Sequence, residues 1–220
     1  MPKKNMLTLV IGNKNYSSWS LRPWLLLRHA AIPFTERRIA LYGETSKEEI
    51  RRYSPSGKVP ALVDGDVTVW ESLAICEYLA ERHPEKQLWP ADSKARAFAR
   101  AMSSEMHAGF ARLRTHMSMN CRKRWPDKGR APGVQDDIDR VAAIWNSCRA
   151  GFGTDGPFLF GQFSIADAMF APVVLRLETY VVPLDAMCRA YSDTMLALPA
   201  LQQWIEGGRA ETEVLTQFEY

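Results

Sequence analysis

The sequence predicts a small α/β domain over residues 6–84, followed by an all-helical domain over residues 91–212. Before residue 84, short apolar runs that suit buried strands alternate with helical patterns, which is typical of a sheet covered by helices. After Trp89 and Pro90 the strand signals disappear, and apolar residues recur only at helical spacing. The chain has 220 residues, which is enough to bury two hydrophobic cores.

The α/β part has the predicted order β-α-β-α-β-β-α. We expect strands at residues 6–11 and 34–41, and a hairpin in ALVDGDVTVW, where Asp64-Gly65 marks the turn. The expected helices are 20–31 with Ser20 as N-cap, 46–52 with a capping box of Ser46 and Glu49, and 71–82. A right-handed β-α-β crossover followed by an antiparallel hairpin is the thioredoxin-like plan.

The helical part has predicted helices at residues 92–117, 134–150, 164–178 and 199–207. The third of them opens with Ser164-Ile165-Ala166-Asp167, a Ser-x-x-Asp pattern whose polar side chains satisfy the first N–H groups of a helix. Phe163 precedes this pattern and is placed to pack back onto the helix. We therefore assign this stretch a capping role and give it no chemistry.

Composition and charge narrow the classes of function. The net charge of +3 is too small to indicate nucleic-acid binding, and the basic run at residues 122–130 suits a solvated loop, with a nucleic-acid contact as the weaker alternative. The cysteines and histidines lack metal-site spacing, so no metal is expected. No apolar run reaches the roughly 20 residues that span a bilayer, and no signal peptide is recognised. We expect a cytoplasmic protein without a membrane partner.

Residues 15–23, NYSSWSLRP, place hydroxyl groups at the start of the first helix. Tyr16, Ser17 and Ser18 are donors there, and Arg22 adds positive charge near a helix N-terminus, which attracts anions. A thiol in this place would ionise more easily than its usual pKa of about 8.5 allows. The alternative is plain helix capping with Arg22 in a surface ion pair, and the residues alone favour neither.

Two other stretches have both a structural and a functional interpretation. A trans Val59-Pro60 bond would be an ordinary loop feature, whereas a cis bond would turn the Val59 N–H and C=O outward, where they can bind an extended peptide as an added strand. Glu71 and Ser72 either cap the following helix or bind an α-amino acid head group, because a helix N-terminus attracts a carboxylate. The sequence leaves both alternatives open.

Four motifs together resemble the cytosolic glutathione transferases. They are SSWSLR at residues 17–22, GKVPAL at 57–62, ESLAICEYL at 71–79 and FSIADAMFAP at 163–172, and the match covers nearly the whole chain in order and spacing. The first motif is similar to the SSCSWR signature of the zeta class, which includes the maleylacetoacetate isomerases. Trp19 stands where that class has a cysteine.

The resemblance implies a glutathione transferase that uses glutathione as co-substrate in detoxification chemistry. Ser17 would be the catalytic residue that stabilises the thiolate, Tyr16 and Ser18 would be fallback donors, and Arg22 would give electrostatic support. The thiolate would then attack a small electrophilic molecule. The residues that the resemblance assigns to glutathione binding are Ser18, Lys58, Val59, a cis Pro60, Glu71 and Ser72.

The resemblance also implies a homodimer, with the helix that begins at Asp92 forming part of the interface. The electrophile is expected over apolar residues that fit core packing equally well, namely Met102, Met106, Phe110 and Leu113. Two alternative functions remain. One is a zeta-type glutathione-dependent cis–trans isomerase. The other is a non-catalytic binding or regulatory module of the same fold, in which the basic run at residues 122–130 matters more.

Overall fold

A four-stranded mixed sheet with three helices forms the first half of the protein in a computed structural model that describes residues 6–220. The strands are β1 (Leu7–Ile11), β2 (Phe34–Arg38), β3 (Ala61–Asp64) and β4 (Val67–Trp70), and the helices are α1 (Ser18–His29), α2 (Ser46–Arg51) and α3 (Ser72–Arg82). The strand order is β2-β1-β3-β4, with β1 parallel to β2 and antiparallel to β3. The predicted thioredoxin-like plan is confirmed.

The starts of two helices differ from the prediction. Helix α1 begins at Ser18 with Ser17 as its N-cap, and Ser20 lies inside the helix, where its Oγ accepts a hydrogen bond from the Gly12 N–H at 3.1 Å. Helix α2 has Thr45 as its N-cap, and the predicted capping box of Ser46 and Glu49 is wrong. The Ser46 hydroxyl instead closes the preceding turn by accepting from the Gly43 N–H and donating to the Ala40 carbonyl. Both serines therefore hydrogen-bond backbone groups outside their helices and do not cap helix ends.

The second half is helical, as predicted. Its helices are α4 (Ser93–Ala108), α5 (Ala111–His116), α6 (Val134–Phe152), α7 (Ile165–Thr179), α8 (Ala186–Leu196) and α9 (Pro199–Ala210), and short 3₁₀ turns lie at Pro84–Lys86 and Thr216–Phe218. Helix α7 is buried along nearly its whole length. The predicted Ser164–Asp167 capping box opens it, with both reciprocal hydrogen bonds present.

The predicted helix over residues 92–117 is two helices. Gly109 is extended and Phe110 has a φ of 62°, so the chain turns between α4 and α5. The guanidinium of Arg114 folds back and donates to the carbonyls of Gly109 and Met106, which lack partners at the end of α4. Helix α8, which the sequence analysis missed, begins after Asp185, whose carboxylate accepts from the Cys188 N–H at 2.8 Å.

Helix α1 belongs to the first domain but packs against α7 and α9 of the second as well as against α3. Residues 20–27 are all buried, including Arg22, which is 0% exposed. The Arg22 Nε donates to the Met169 carbonyl in α7 at 3.2 Å, and its Nη1 donates to the Ser72 Oγ in α3 at 3.4 Å. The two domains are thus joined through the first helix, and the start of that helix lies where they meet.

All four cysteines are buried free thiols: Cys76, Cys121, Cys148 and Cys188. Burial raises the pKa of each thiol to about 12. Within residues 6–220, no helix combines the length and the apolar character needed to cross a bilayer. The same residues contain no cluster of His, Cys, Asp and Glu that could hold a metal ion.

Replacement of Asp167 by alanine should destabilise the protein by about 2–4 kcal/mol, since buried donors lose their acceptor. Its carboxylate accepts from the N–H and hydroxyl of Ser164, the Leu159 N–H and the Tyr191 hydroxyl. Urea unfolding measures the change. Asp185→Ala is the matched control, because it removes an exposed cap and should cost only about 1 kcal/mol. Equal losses of unfolding free energy in the two variants would contradict the role of Asp167 as a buried acceptor.

Candidate functional site

A cavity of about 730 Å³ opens at the N-terminus of α1, between the two domains. Its walls combine hydroxyl groups, cations and aromatic rings from both halves of the chain. They include Tyr16, Ser17, Ser18, Trp19, Tyr42, Lys47, Lys58 and Val59 from the first domain, and Arg114, Ser118, Met119, Arg176 and Phe218 from the second. A cavity of this size between domains is typical of a small-molecule site.

Ser17 lies at the mouth of α1 and is 7% exposed. As the N-cap of α1 it makes no side-chain hydrogen bond to the first N–H groups of the helix. Its hydroxyl donates instead to the Ser20 Oγ at 2.8 Å, and Ser20 accepts in turn from the Gly12 N–H at 3.1 Å. Because a hydroxyl both donates and accepts, this chain can reverse, so that Ser20 donates to Ser17 and Ser17 donates into the cavity.

The neighbours of Ser17 have different partners. The Ser18 Oγ accepts from the Arg176 Nη2 at 3.2 Å, which leaves its own proton free to donate. The Tyr16 hydroxyl donates to the Glu219 carboxylate at 2.5 Å and accepts from the Arg122 Nη2 at 2.7 Å. Burial and the bond to Glu219 raise the pKa of Tyr16. Its hydroxyl is therefore held by distant parts of the chain, whereas those of the two serines remain beside the cavity.

A second, smaller cavity of about 130 Å³ lies between β3 and the start of α3, and Trp19, Ser56, Lys58, Val59, Pro60, Glu71 and Ser72 line it. The Val59–Pro60 bond is cis, as the resemblance implied. Glu71 is the N-cap of α3, with a φ of 68°, and its carboxylate lies 3.6 Å from the His107 Nε2. A carboxylate therefore stands beside free N–H groups at a helix N-terminus, an arrangement that accepts both ends of an amino acid.

Three arginines lie close together: Arg114 and Arg176 line the larger cavity, and Arg22 lies near enough that both lower its pKa. Each has one buried guanidinium nitrogen without a hydrogen-bond partner among the described residues. Burial, reinforced by repulsion from Arg114, lowers the pKa of Arg22 and lowers that of Arg176 to about 9, and burial lowers the pKa of Arg114. An arginine keeps its proton at neutral pH, so these shifts express the cost of burying three cations together. An anion bound beside them would offset that cost.

Trp19 lines both cavities and stands between them. The guanidinium carbon of Arg22 lies 4.3 Å from the centroid of its indole, and that of Arg114 lies 4.7 Å away. The His107 ring contacts the same indole edge-on, with 5.2 Å between the two ring centroids. Both arginines are within cation–π range, so the ring stabilises part of the charge that the protein buries here.

The structure brings most of the sequence-predicted residues together. Ser17 and Ser18 line the larger cavity, and Lys58 and Val59 line both cavities. Pro60, Glu71 and Ser72 line the smaller cavity. Arg22 lines neither cavity, because its guanidinium holds α1 against α7 and α3. It is also not in the surface ion pair considered for it. The apolar residues expected to contact the electrophile are buried core instead: Met102, Met106, Phe110 and Leu113.

Sequence reasoning missed Lys47, Arg114, Arg176 and Phe218 as lining residues. For Arg176 a signal was present, since it is the one charge in the apolar run FAPVVLRL at residues 170–177. A charge buried among apolar residues needs a partner or a ligand to offset its desolvation. Arg114 gave no such signal, because its exposure to the cavity depends on the break between α4 and α5. Phe218 lies far along the chain and reaches the cavity only through tertiary contacts.

Comparison with known proteins gives two family matches that together cover most of the chain. The profile of "Glutathione S-transferase, N-terminal domain" matches residues 16–82, and that of "Glutathione S-transferase, C-terminal domain" matches residues 96–207. Among curated proteins, maleylacetoacetate isomerase from Rattus norvegicus is 30% identical over 195 residues, which cover 84% of this chain and 85% of that protein. Glutathione S-transferase Z2 from Arabidopsis thaliana is 29% identical over 185 residues, which cover 78% of each.

Solved structures show the same fold. A glutathione transferase homolog from Burkholderia, solved with bound glutathione, has a TM-score of 0.70 at 24% identity and covers 94% of this chain and 100% of its own. A diazinon-metabolizing glutathione S-transferase from the silkworm, Bombyx mori, has a TM-score of 0.73 at 17% identity, covering 93% of this chain and 97% of its own.

Proposed function

Because the chain belongs to the glutathione S-transferase family, we propose that Ser17 activates the thiol of glutathione for attack on a small electrophile. One observation carries the proposal. The Ser17 hydroxyl lies at the N-terminus of α1, makes no capping bond to that helix and lines the larger cavity. A donor and a helix dipole that meet at one point stabilise an anion there.

The two cavities support a single extended binding mode for glutathione. The smaller cavity accepts the γ-glutamyl end, with its ammonium on the Glu71 carboxylate and its carboxylate on the Ser72 hydroxyl and the N-terminus of α3. Val59 lines both cavities and would pair with the cysteinyl backbone as an added strand. Lys47 and Lys58 are exposed at the larger cavity and would attract the glycyl carboxylate.

The sulfur would then lie at Ser17. Loss of the thiol proton to solvent leaves a thiolate that accepts a hydrogen bond from the Ser17 hydroxyl, while Ser20 and the Gly12 N–H support that hydroxyl from behind. A bound-thiol pKa of about 6 to 7 would make the sulfur largely ionised at neutral pH, and each unit of the shift corresponds to about 1.4 kcal/mol. Ser20 is therefore a positioning residue.

The arginines favour an electrophile that carries a carboxylate, which is the case for the isomerase alternative. Arg114 and Arg176 line the cavity that Ser17 also lines, and each has a buried nitrogen without a partner in the described part of the chain. On a cis alkene conjugated to a carbonyl, the thiolate adds to an alkene carbon and the displaced electron pair moves onto the carbonyl oxygen. The resulting single bond rotates, and expulsion of the thiolate restores the double bond in trans form, so glutathione is not consumed.

The non-catalytic module gains little support from the basic run at residues 122–130. Arg122 donates to the Tyr16 hydroxyl and to the carbonyls of Glu211 and Glu213, and Arg124 pairs with Glu178. Arg122 is thereby committed to the fold, whereas Lys123, Arg124, Lys128 and Arg130 are exposed. A short run of surface cations with one tryptophan is weak support for a nucleic-acid site. Retention on immobilised glutathione followed by turnover of a chloroaromatic electrophile separates the enzyme from a binding module.

Ser17→Ala should raise the pKa of bound glutathione by about 1–2 units, because a hydrogen bond to a charged group contributes about 1.5–3 kcal/mol. Ser20→Ala should raise it by a smaller amount, since the Ser17 hydroxyl loses its support. Ultraviolet titration of the thiolate in the complex measures both. The matched control is Ser192→Ala, a buried serine in α8 without a hydrogen-bond partner among the described residues. If all four proteins show the thiol pKa of free glutathione, the assignment of Ser17 is wrong.

Arg176→Met should lower kcat/KM for maleylacetone, which carries a carboxylate, by about 10- to 100-fold, in keeping with the loss of a charge-assisted hydrogen bond. Turnover of a chloroaromatic electrophile without a carboxylate should change less than about threefold. Steady-state kinetics with both substrates is the measurement. Arg189→Met, at an exposed arginine of α8, is the control. A similar fall for both electrophiles would show that Arg176 acts on structure and does not recognise the carboxylate.

We also propose that two molecules pair through the exposed apolar residues of β4 and α4. Val67 and Trp70 on the edge strand β4 are each 42% exposed, and Phe98 on α4 is 51% exposed. Sedimentation equilibrium should give twice the mass of the chain, and Phe98→Glu should shift it toward the monomer. Met187→Glu, at an exposed methionine of α8, should leave the dimer intact. A wild-type protein of single-chain mass would reject the proposal.

A further inference from the structure

The segment of residues 211–220 follows α9 and contributes one aromatic ring to the wall of the larger cavity. Phe218 lines the cavity together with Ser17, and its ring centroid lies 5.8 Å from that of Tyr16 and 5.8 Å from that of Tyr42. Apart from the 3₁₀ turn Thr216–Phe218, the segment has no regular secondary structure. Side-chain contacts must therefore hold Phe218 in place.

Tyr16 provides the central contact. Its hydroxyl donates to the Glu219 carboxylate at 2.5 Å and accepts from the Leu215 N–H at 3.3 Å and the Arg122 Nη2 at 2.7 Å. Glu219 also accepts from the Asn120 Nδ2 at 3.0 Å. One hydroxyl at the start of α1 thus binds the segment on both sides of Phe218.

Other contacts fix the same segment to both domains. The Glu211 carboxylate accepts from the N–H groups of Lys14 and Asn15 at 2.7 and 3.0 Å. The Ser118 hydroxyl donates to the carbonyl of Phe218 itself at 2.9 Å. Phe218 is therefore held by its backbone, by its neighbours and by the rings of Tyr16 and Tyr42, and it forms a defined wall of the cavity.

We propose that Phe218 is a specificity-determining residue that contacts the group attached to the sulfur of glutathione, and that Tyr16 is the positioning residue that holds it there. The inference rests on the proposed function, since it needs the sulfur of glutathione at Ser17. The ring offers a flat apolar surface in the wall of the cavity that Ser17 also lines. It favours electrophiles with an apolar part, such as an alkyl chain or an aromatic ring, next to the carbon that is attacked.

Affinities for S-methylglutathione and S-hexylglutathione, measured by calorimetry, test this without turnover. In the wild type the hexyl compound should bind more tightly. Phe218→Ala should weaken it about fivefold, which corresponds to roughly 40 Å² of lost apolar contact, and should leave S-methylglutathione unchanged. Phe218→Leu, which keeps an apolar side chain, should restore most of the difference.

Tyr16→Phe separates positioning from packing, because it keeps the ring and removes only the hydroxyl contacts. It should lower the ratio of the two affinities about two- to threefold, in the same direction as Phe218→Ala. The matched control is Tyr220→Ala in the same segment, whose side chain contacts Trp125 and Tyr180 outside the cavity lining. The ratio should not change in that variant.

Three results would overturn the inference in different ways. An unchanged ratio in Phe218→Ala, with normal binding of both compounds, rejects Phe218 as a specificity residue and leaves the proposed function intact. Equal weakening of both compounds shows a structural role only. Failure of the wild type to bind glutathione or either S-alkyl compound rejects the proposed function and this inference with it.

Discussion

The burial of helix α1 between two domains is the constraint on which the rest of the structure depends. Its residues 20–27 pack against the sheet domain and against α7 and α9, so only its N-terminus faces the cavity. The Arg22 guanidinium fixes that position by bonding the Met169 carbonyl and the Ser72 hydroxyl. Because α1 is fixed by its neighbours, the positive end of its dipole always points into the cavity. Ser17, the N-cap of α1, is fixed at that same point.

Charge at the site comes at a cost to the fold. Arg22, Arg114 and Arg176 are cations in surroundings that lower their pKa values, and each has a buried nitrogen that no group of residues 6–220 binds. None of the three forms an ion pair with a described carboxylate, although Asp137 lies near enough to Arg114 to raise its pKa in part. Burying like charges without such pairs destabilises a folded chain, so a protein selected for stability alone would place apolar residues here. Contacts of the Trp19 indole with two of the guanidinium groups offset part of the cost, and a bound anion would offset more.

Local patterns predicted the elements whose order and capping depend on nearby residues. The order of strands and helices along the chain, the helical second half and the Ser164–Asp167 capping box all follow from short-range spacing. The break at Gly109 was missed because helical periodicity continues across it, and the Arg114 side chain that closes α4 bonds back over the turn. Helix α8 was missed although it has 11 residues, as many as α3, and although Asp185 offered an N-cap signal.

The residues of the site also fall into those that the sequence predicted and those that it did not. Residues that lie in motifs at the two helix starts and beside Pro60 were found from the sequence. Arg176 and Phe218 were not found, because they are distant in sequence from the residues that they contact. Arg176 bonds Ser18, which lies 158 residues earlier, and the ring of Phe218 contacts that of Tyr16. Sequence pattern identifies donors within a turn of each other, and tertiary packing decides which distant side chains complete the walls.

The burial of all four cysteines has a chemical consequence for a protein that handles thiol-reactive compounds. Cys76, Cys121, Cys148 and Cys188 are enclosed by the fold, and their thiols stay protonated far above neutral pH. The thiolate is the nucleophilic form of cysteine, so these four residues offer an alkylating reagent no thiolate. The cysteines of the protein therefore do not compete with the thiolate of a bound co-substrate for a molecule that enters the cavity.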